Sequence, residues 1–427
     1  MSKEFSRIPI ERLCSWILKE YDETDQIFGI HKDLFFTPKN TDRFTMKRYG
    51  QYLESPIGVA AGPHTQMAQN IIAAWLCGSR YLELKTIQTL DELNVSKPCI
   101  DMQDEGYNWE WSQELKLDES YDEYLNAWIM LHVLRHKFGW SNENGLGFLF
   151  NMSVGYNLEG VLKSNVQKFL DKMENSEVEL KEKLAIVKKY YPDVDKIDIP
   201  SKLSDNTTLS TMHGCPPDEI EKIAMYLVKE RNYHTTIKLN PTLLGAKHLR
   251  HILNDKLGFE TNIPDEAFGH DLKYPDGIKI IQNMLRASAE KKLDFALKLT
   301  NTLESVNHKD IFPSNEPMMY MSGRALHPIS TNLVAKLQNE FDGILDISFS
   351  AGADTFNLPK LIASGVKPVT VSSDILKPGA YGRLRQYLED LNEAIKNEGA
   401  NNIDEYILNF SGAKNVKVKK ADRKSVV

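Results

Sequence analysis

Lysines stand near the ends of three short apolar runs: Lys85 in RYLELKT, Lys238 in TTIKLNP and Lys298 in DFALKLTNT. Burying an ammonium is costly unless something anionic or electron-rich lies beside it. No acid is read at the ends of these runs, so a shared ligand is expected to face the lysines. Two later runs end in Ser350-Ala351-Gly352 and Ser372-Ser373, each followed by helical sequence. Backbone N–H groups at such turns and helix starts hold phosphate. Lysines plus a phosphate cradle point to a phosphorylated cofactor, though a phosphorylated sugar with Lys238 or Lys85 as Schiff base would use the same features. A further run leads through Ser210 and Thr211 to His213-Gly214-Cys215 and the helical pattern PPDEIEKIAMYLVKERN. A helix N-terminus lowers a thiol pKa, which makes Cys215 the first candidate proton carrier. Thr211 is the second, because an aliphatic hydroxyl needs a neighbouring base or a water relay. His213 beside Cys215 suggests a nucleophile–base couple or a metal pair, but no nearby carboxylate motif completes either. His64 in GPHTQ reads equally as a structural hydrogen bonder or a substrate contact.

These residues must be positioned by eight runs, read as strands: 55–62, 80–86, 146–157, 207–212, 235–241, 294–302, 344–352 and 367–374. Most are apolar at the start and polar at the end, as fully covered parallel strands are. Amphipathic helical patterns lie between them, including HTQMAQNIIAAWLCGS (read with Thr65 as its cap and Gly78 at its end), IKIIQNMLRASAEKK and STNLVAKLQNEF. Eight strand–helix alternations without a Gly-rich nucleotide turn after the first strand predict a (β/α)8 barrel, whose active site lies at the C-terminal ends of the strands. Two connections are long. Residues 87–145 carry a helical stretch and the acidic, Trp-rich DMQDEGYNWEWSQE, read as a solvated lid; residues 158–206 carry one charged helical pattern over 163–190. The expected division is an N-terminal helical arm over 1–49, the barrel over 50–395, and a C-terminal helix with a basic tail over 396–427.

The composition fits a soluble globular protein, with 41% hydrophobic and 26% charged residues among 427. A formal charge of −7 argues against a nucleic-acid binder. Neither a membrane-length apolar run nor a signal peptide is read, so the expected location is the cytoplasm. The cysteines, at 14, 77, 99 and 215, are too dispersed for a disulfide scaffold, a zinc site or an iron–sulfur cluster held by this chain. The first three are read as plain thiols, and no metal is expected.

The phrases AAGPHTQMAQN, ELKTIQ, FNMSVGYNLEG, LSTMHGCPP, KLNPTLLG, LTNTL and YMSGRAL resemble the N-terminal FMN-type barrel of a bacterial flavoprotein family that carries the name selenate reductase. More distantly, the chain resembles dihydropyrimidine dehydrogenase and dihydroorotate dehydrogenase (DHODH). The resemblance implies bound FMN, with Ala60, Ala61 and Gly62 near the ring, Lys85 and Thr86 touching flavin and substrate, and Lys238 at the flavin N1/O2 edge. It places Ser322 and Gly323 in a cofactor loop, and Ala351, Gly352, Ser372 and Ser373 at the phosphate. Asn157, Ser210, Asn301 and Thr302 are implied substrate contacts. This chain departs from the dehydrogenases in having Thr211 at their proton-transfer position, Thr208 for an asparagine, and Ala351 for a glycine. The function so implied is hydride transfer between FMN and a planar pyrimidine- or purine-like ring, in a selenate reductase or purine-catabolism assembly. A catalytically degenerate barrel serving as scaffold or electron-transfer subunit is the alternative. The implied partners are an iron–sulfur and FAD/NAD(P)H subunit or module, and a second copy of this chain as a homodimer.

Overall fold

The computed structural model describes residues 6–90, 100–103, 105–108, 114–140, 143–211, 213–308 and 316–412. Eight parallel strands close into a barrel, and each of the eight runs supplies one, in chain order. They are β1 (Ile57–Val59), β2 (Tyr81–Glu83), β3 (Leu149–Val154), β4 (Asn206–Ser210), β5 (His234–Leu239), β6 (Phe295–Leu299), β7 (Ile347–Phe349) and β8 (Val369–Val371). β8 closes onto β1 with Val369 opposite Ile57.

Side chains alternate across a strand, so residues two apart share a face. The outward face is aliphatic: Leu209, Ile237, Leu297 and Ile347 are neighbours in register across β4 to β7. All are buried, in one core continuous with the surrounding helices. Those helices form for the reasons read in the sequence. Pro217–Lys229, for example, opens with proline, Asp218 and Glu219, ends in Lys229, and buries Ile220, Ile223, Leu227 and Val228. The inward face departs from the branched aliphatic layers usual in such barrels. Thr208 donates to Asn151 Oδ1 at 2.6 Å, and Asn151 Nδ2 donates to Asn206 at 2.7 Å. Lys238 and Lys298 stand side by side in register on β5 and β6. A hairpin, Met46–Arg48 with Gln51–Leu53, supports the barrel's N-terminal end, where the Tyr49 hydroxyl meets Thr236 at 2.7 Å.

Four details differ from the sequence reading. Thr65 does not cap the helix Ala68–Leu76, whose N-cap is Met67; its hydroxyl closes a tight turn with the Gly62 backbone. The charged pattern over 163–190 is two helices, Ser164–Glu174 and Glu177–Val187, broken at Asn175-Ser176. The described part of the acidic insertion is not solvated: Asp101 and Met102 are buried, and Ile100–Asp101 joins a second sheet with Tyr107–Asn108, Met318–Met321 and Leu303–Val306. Residues 6–49 are not all helix. Ile10–Thr24 packs Leu13, Cys14 and Ile17 into the shared core, but a two-stranded turn at Gln26–Ile27 and Ile30–His31 follows. Cys14 and Cys77 are fully buried thiols, each pushed up to about 12 by burial. Cys99 and the basic tail lie outside the described residues. Among the described residues no helix is long and apolar enough to cross a membrane, and no cluster could hold a metal ion.

Candidate functional site

At the C-terminal ends of β5 to β8 lies a cleft. It brings together Lys238 from β5, Thr300, Asn301 and Thr302 after β6, Ser350, Ala351 and Gly352 after β7, and Ser372 and Ser373 after β8. Ser322, immediately after the second-sheet strand Met318–Met321, completes the wall. Gly323 lies immediately behind it. A Cβ on Gly352 would fall 2.5 Å from the Gly323 carbonyl oxygen and from Arg324 Cα, and Gly352 has φ +58°. Glycine is required there twice over, for space and for backbone. Ala351, by contrast, has no positive φ, so the alanine at that position carries no backbone penalty.

The cleft offers donors. Thr302 Oγ1 and Ser372 Oγ are buried without a hydrogen-bond partner among the described residues. Buried hydroxyls are normally satisfied, so both point to a group that completes them. The Lys238 ammonium also has no ion-pair partner among the described residues, although the side chain is only 7% exposed. Acidic neighbours of the cradle are already neutralised. Asp374 is gripped by Arg383 at 2.9 and 3.1 Å, by Lys377 at 3.0 Å and by the Tyr387 hydroxyl. Burial pushes its carboxyl up, but these partners outweigh burial and hold it below the usual range. Glu105 reaches from the second sheet to Lys377 and accepts the Arg324 N–H at 2.8 Å.

The opposite wall is built from β1 to β3. The Ala60 carbonyl accepts the His64 Nε2–H at 2.9 Å, which fixes the imidazole tautomer. A Cβ on Gly62 would meet that ring at 2.5 Å. Burial, reinforced by the nearby Lys85 charge, holds the His64 imidazole down to about 4, hence neutral. The structural role is the one observed. Lys85 is buried and Thr86 hydrogen-bonds Ser153 at 2.7 Å. Ser210 is half-buried, with its backbone near Gly155 and Thr86. Asn157 is exposed, and its side-chain oxygen accepts the Gly160 N–H at 2.8 Å.

One expectation fails here. The strand ends were read as free of acids, yet Glu83 on β2 is buried and ion-pairs with Lys298 across the barrel from β6, both only 1% exposed. Glu83 was hidden by sitting inside an otherwise apolar run. Removing one partner of such a pair costs roughly 3–5 kcal/mol, because the other is left buried and charged.

The tip of β4 also differs. The Thr211 hydroxyl donates to the Lys238 carbonyl at 2.6 Å, and its own carbonyl accepts from Asn301 Nδ2 at 2.8 Å. Its proton is therefore engaged. Cys215 lies with Thr211 on a separate small pocket, walled by Ile220, Leu239, Leu243 and Leu272. Burial first, then Glu219 and Asp218, pushes its thiol up to about 11. The expected lowering by the helix N-terminus is overturned, chiefly by burial and then by the two carboxylates of that first turn. His213, in contrast, has the carboxylate that sequence spacing did not show. Its Nδ1 stands 3.2 Å from Asp271, which also accepts the Thr242 hydroxyl at 2.7 Å and the Gly214 N–H at 3.1 Å. Burial raises the Asp271 carboxyl, but His213 and these donors outweigh it and lower it overall. The other face of the ring meets Tyr320 of the second sheet, centroids 5.5 Å apart.

Residues 28–424 match the family described as oxidoreductase YgfK, N-terminal TIM-barrel domain. The chain belongs to this family. The protein named Putative oxidoreductase YgfK is 42% identical over 409 residues in Escherichia coli strain K12, and equally in strain O157:H7. That alignment covers 90% of this chain but 39% of the relative, so the chain spans about two fifths of the curated relatives' length. Among solved structures, ligand-free DHODH from Eimeria tenella aligns with TM-score 0.51 at 15% identity, over 90% of this chain and 95% of that one. The same protein in complex with ferulenol gives TM-score 0.51 at 16% identity, over 87% and 90%. At such identity the likeness speaks for the barrel fold alone.

Asp271, Thr242 and Glu83 are the residues the sequence reading missed. Thr242 lies in the 3-10 turn Pro241–Leu244 after β5, within KLNPTLLG but without a polar partner in sequence, and Asp271 lies farther on with no motif around it. The side-by-side pairing of β4 and β5 brings Asp271 back to a histidine 58 positions earlier.

Proposed function

We propose that this barrel binds FMN and serves as the substrate-side domain of a flavin-dependent oxidoreductase acting on a planar pyrimidine- or purine-like ring. The observation that carries the reading is the cleft itself: a cation, two unsatisfied buried hydroxyls and a glycine cradle converge on one space. Bound there, FMN would supply hydride transfer. Ala351, Gly352, Ser372 and Ser373 would hold its phosphate through backbone N–H groups and hydroxyls, and Lys238 would support the ring edge where negative charge collects. Asn301 has its amide committed to the Thr211 backbone, which leaves its carbonyl oxygen to a ligand N–H. His213, oriented by Asp271, is the residue at the β4 tip equipped to move a proton, since Thr211 is engaged and Cys215 stays a thiol at neutral pH. An Asp-oriented imidazole is a general acid–base arrangement. Lys85, Thr86, Ser210 and Asn157 belong to the substrate side of this reading.

The same observations on Thr211 and Cys215 favour one second reading, a barrel that carries the cofactor as an electron-transfer or scaffold unit without substrate chemistry. In both readings further modules or a partner subunit would receive the electrons, and the selenate-reductase name belongs to this proposal. The two separate by anaerobic exposure of the FMN-loaded chain to dihydropyrimidines, oxopurines and NAD(P)H. Bleaching of the flavin by a ring substrate, slowed in His213→Asn and not in Cys215→Ser, supports the first. Bleaching by none of them supports the second.

A further inference from the structure

We propose that the buried Glu83–Lys298 pair sets the reduction potential of the cofactor above it, with Glu83 acting as a positioning residue that cancels the Lys298 charge. This rests on the flavin reading. Lys298 stands in register with Lys238, and Lys238 lines the cleft. Thr300, just past the end of the strand that carries Lys298, lines it too. An uncompensated Lys298 would therefore add a second cation beside Lys238, next to the cleft. Glu83 prevents this from the opposite strand, β2, with its carboxylate on the Lys298 ammonium. The carboxylate is aimed by the Ala61 N–H, 3.2 Å from Oε2. Its other oxygen, Oε1, is buried with no hydrogen-bond partner among the described residues. A carboxylate so little hydrogen-bonded keeps its negative charge concentrated on the ion pair. His64, the nearest titratable group on β1's loop, is neutral and does not alter the balance.

A charge in a poorly solvated interior acts over a longer range than one in water. Cations near the ring favour its reduced, more negative form, and anions disfavour it. Glu83 thus holds the potential down, and Lys298 holds it up. Neither residue need touch substrate for this.

The experiment is a spectroelectrochemical titration of FMN-loaded wild type, Glu83→Gln, Lys298→Met and the double variant. Glu83→Gln is expected to raise the potential by at least about 30 mV, a tenfold change in a two-electron equilibrium. Lys298→Met is expected to lower it similarly, and the double variant to return near wild type. Glu83→Gln that binds FMN at an unchanged potential overturns the proposal. If it does not fold, Lys298→Met carries the test in the opposite direction. If neither folds, Glu83→Asp, which draws the carboxylate back by one methylene, must still raise the potential, and no change there overturns the proposal. A wild type that takes up no FMN overturns the flavin reading with it, whereas a flavin-loaded wild type with insensitive variants overturns the pair alone.

Discussion

At the β4 tip, the chemistry of each residue is decided by what the fold places around it. The Cys215 thiol, pushed up to about 11, is predominantly protonated at neutral pH, whereas an ordinary thiol near 8.5 is partly ionised. Alkylation at Cys215, followed by peptide mass spectrometry, is expected to be at least about a hundredfold slower at pH 8 than for a free thiol. The rate should still be rising at pH 10. A plateau between pH 8 and 9 would restore the thiolate. Lys238 gives the complementary case. Its ammonium faces the cleft, so Lys238→Met keeps the bulk and removes the charge. The potential of bound FMN should fall by about 30 mV for each ~1.4 kcal/mol of lost stabilisation of the reduced form. An unchanged potential would remove Lys238 from the ring edge. Lys238 was legible in KLNP because its type and place were both local. Asp271 was not, because its role exists only through a contact made 58 residues away.

Among the elements, the eight strands were legible because each is short, bounded and dense in β-branched or aliphatic residues. The second sheet was not, since two of its strands have two residues each and the sheet joins insertions after β2 and β6. The long helix Leu117–Lys137 holds the next surprise. Its Glu123 is fully buried and accepts the Ala68 N–H at 2.8 Å, at the start of helix Ala68–Leu76. Burial pushes this carboxyl from 4.5 up to about 7. A raised folded pKa favours the protonated native state. Its contribution to stability is therefore full below about 4.5 and lost as pH rises through about 7, roughly 3 kcal/mol in all. Glu123→Gln, which stays neutral and can still accept the N–H, should remove that loss. The Tm gap between variant and wild type is expected to widen from pH 5 to pH 8, and a gap independent of pH would refute the assignment. The loop after β7 is as sharply constrained. Gly352→Ala places a methyl group against the Arg324 backbone at a positive φ, a strain of about 1–3 kcal/mol before any clash. FMN uptake should be lost with a lowered Tm, while Ala351→Gly leaves both near wild type.

On the scale of the whole molecule, the polar barrel interior ties the two ends of the account together. Amides and hydroxyls at Thr236, Thr208 and Asn151 line the interior below Lys238 and Lys298, which stand in register on β5 and β6. Such an interior specifies a ligand at its mouth more than it maximises stability, since aliphatic layers would pack as well without buried polar groups. The chain corresponds to about two fifths of its curated relatives, and in our account this portion holds the FMN while electrons leave through the remainder or a partner. The direct test is to purify the 427-residue chain and titrate it with FMN, following flavin absorbance and fluorescence, beside Ser373→Asp. The account predicts one FMN per chain, with uptake abolished in Ser373→Asp because a carboxylate there repels the phosphate at short range. A wild-type chain that binds no FMN, or a Ser373→Asp variant that binds it undiminished, would contradict it.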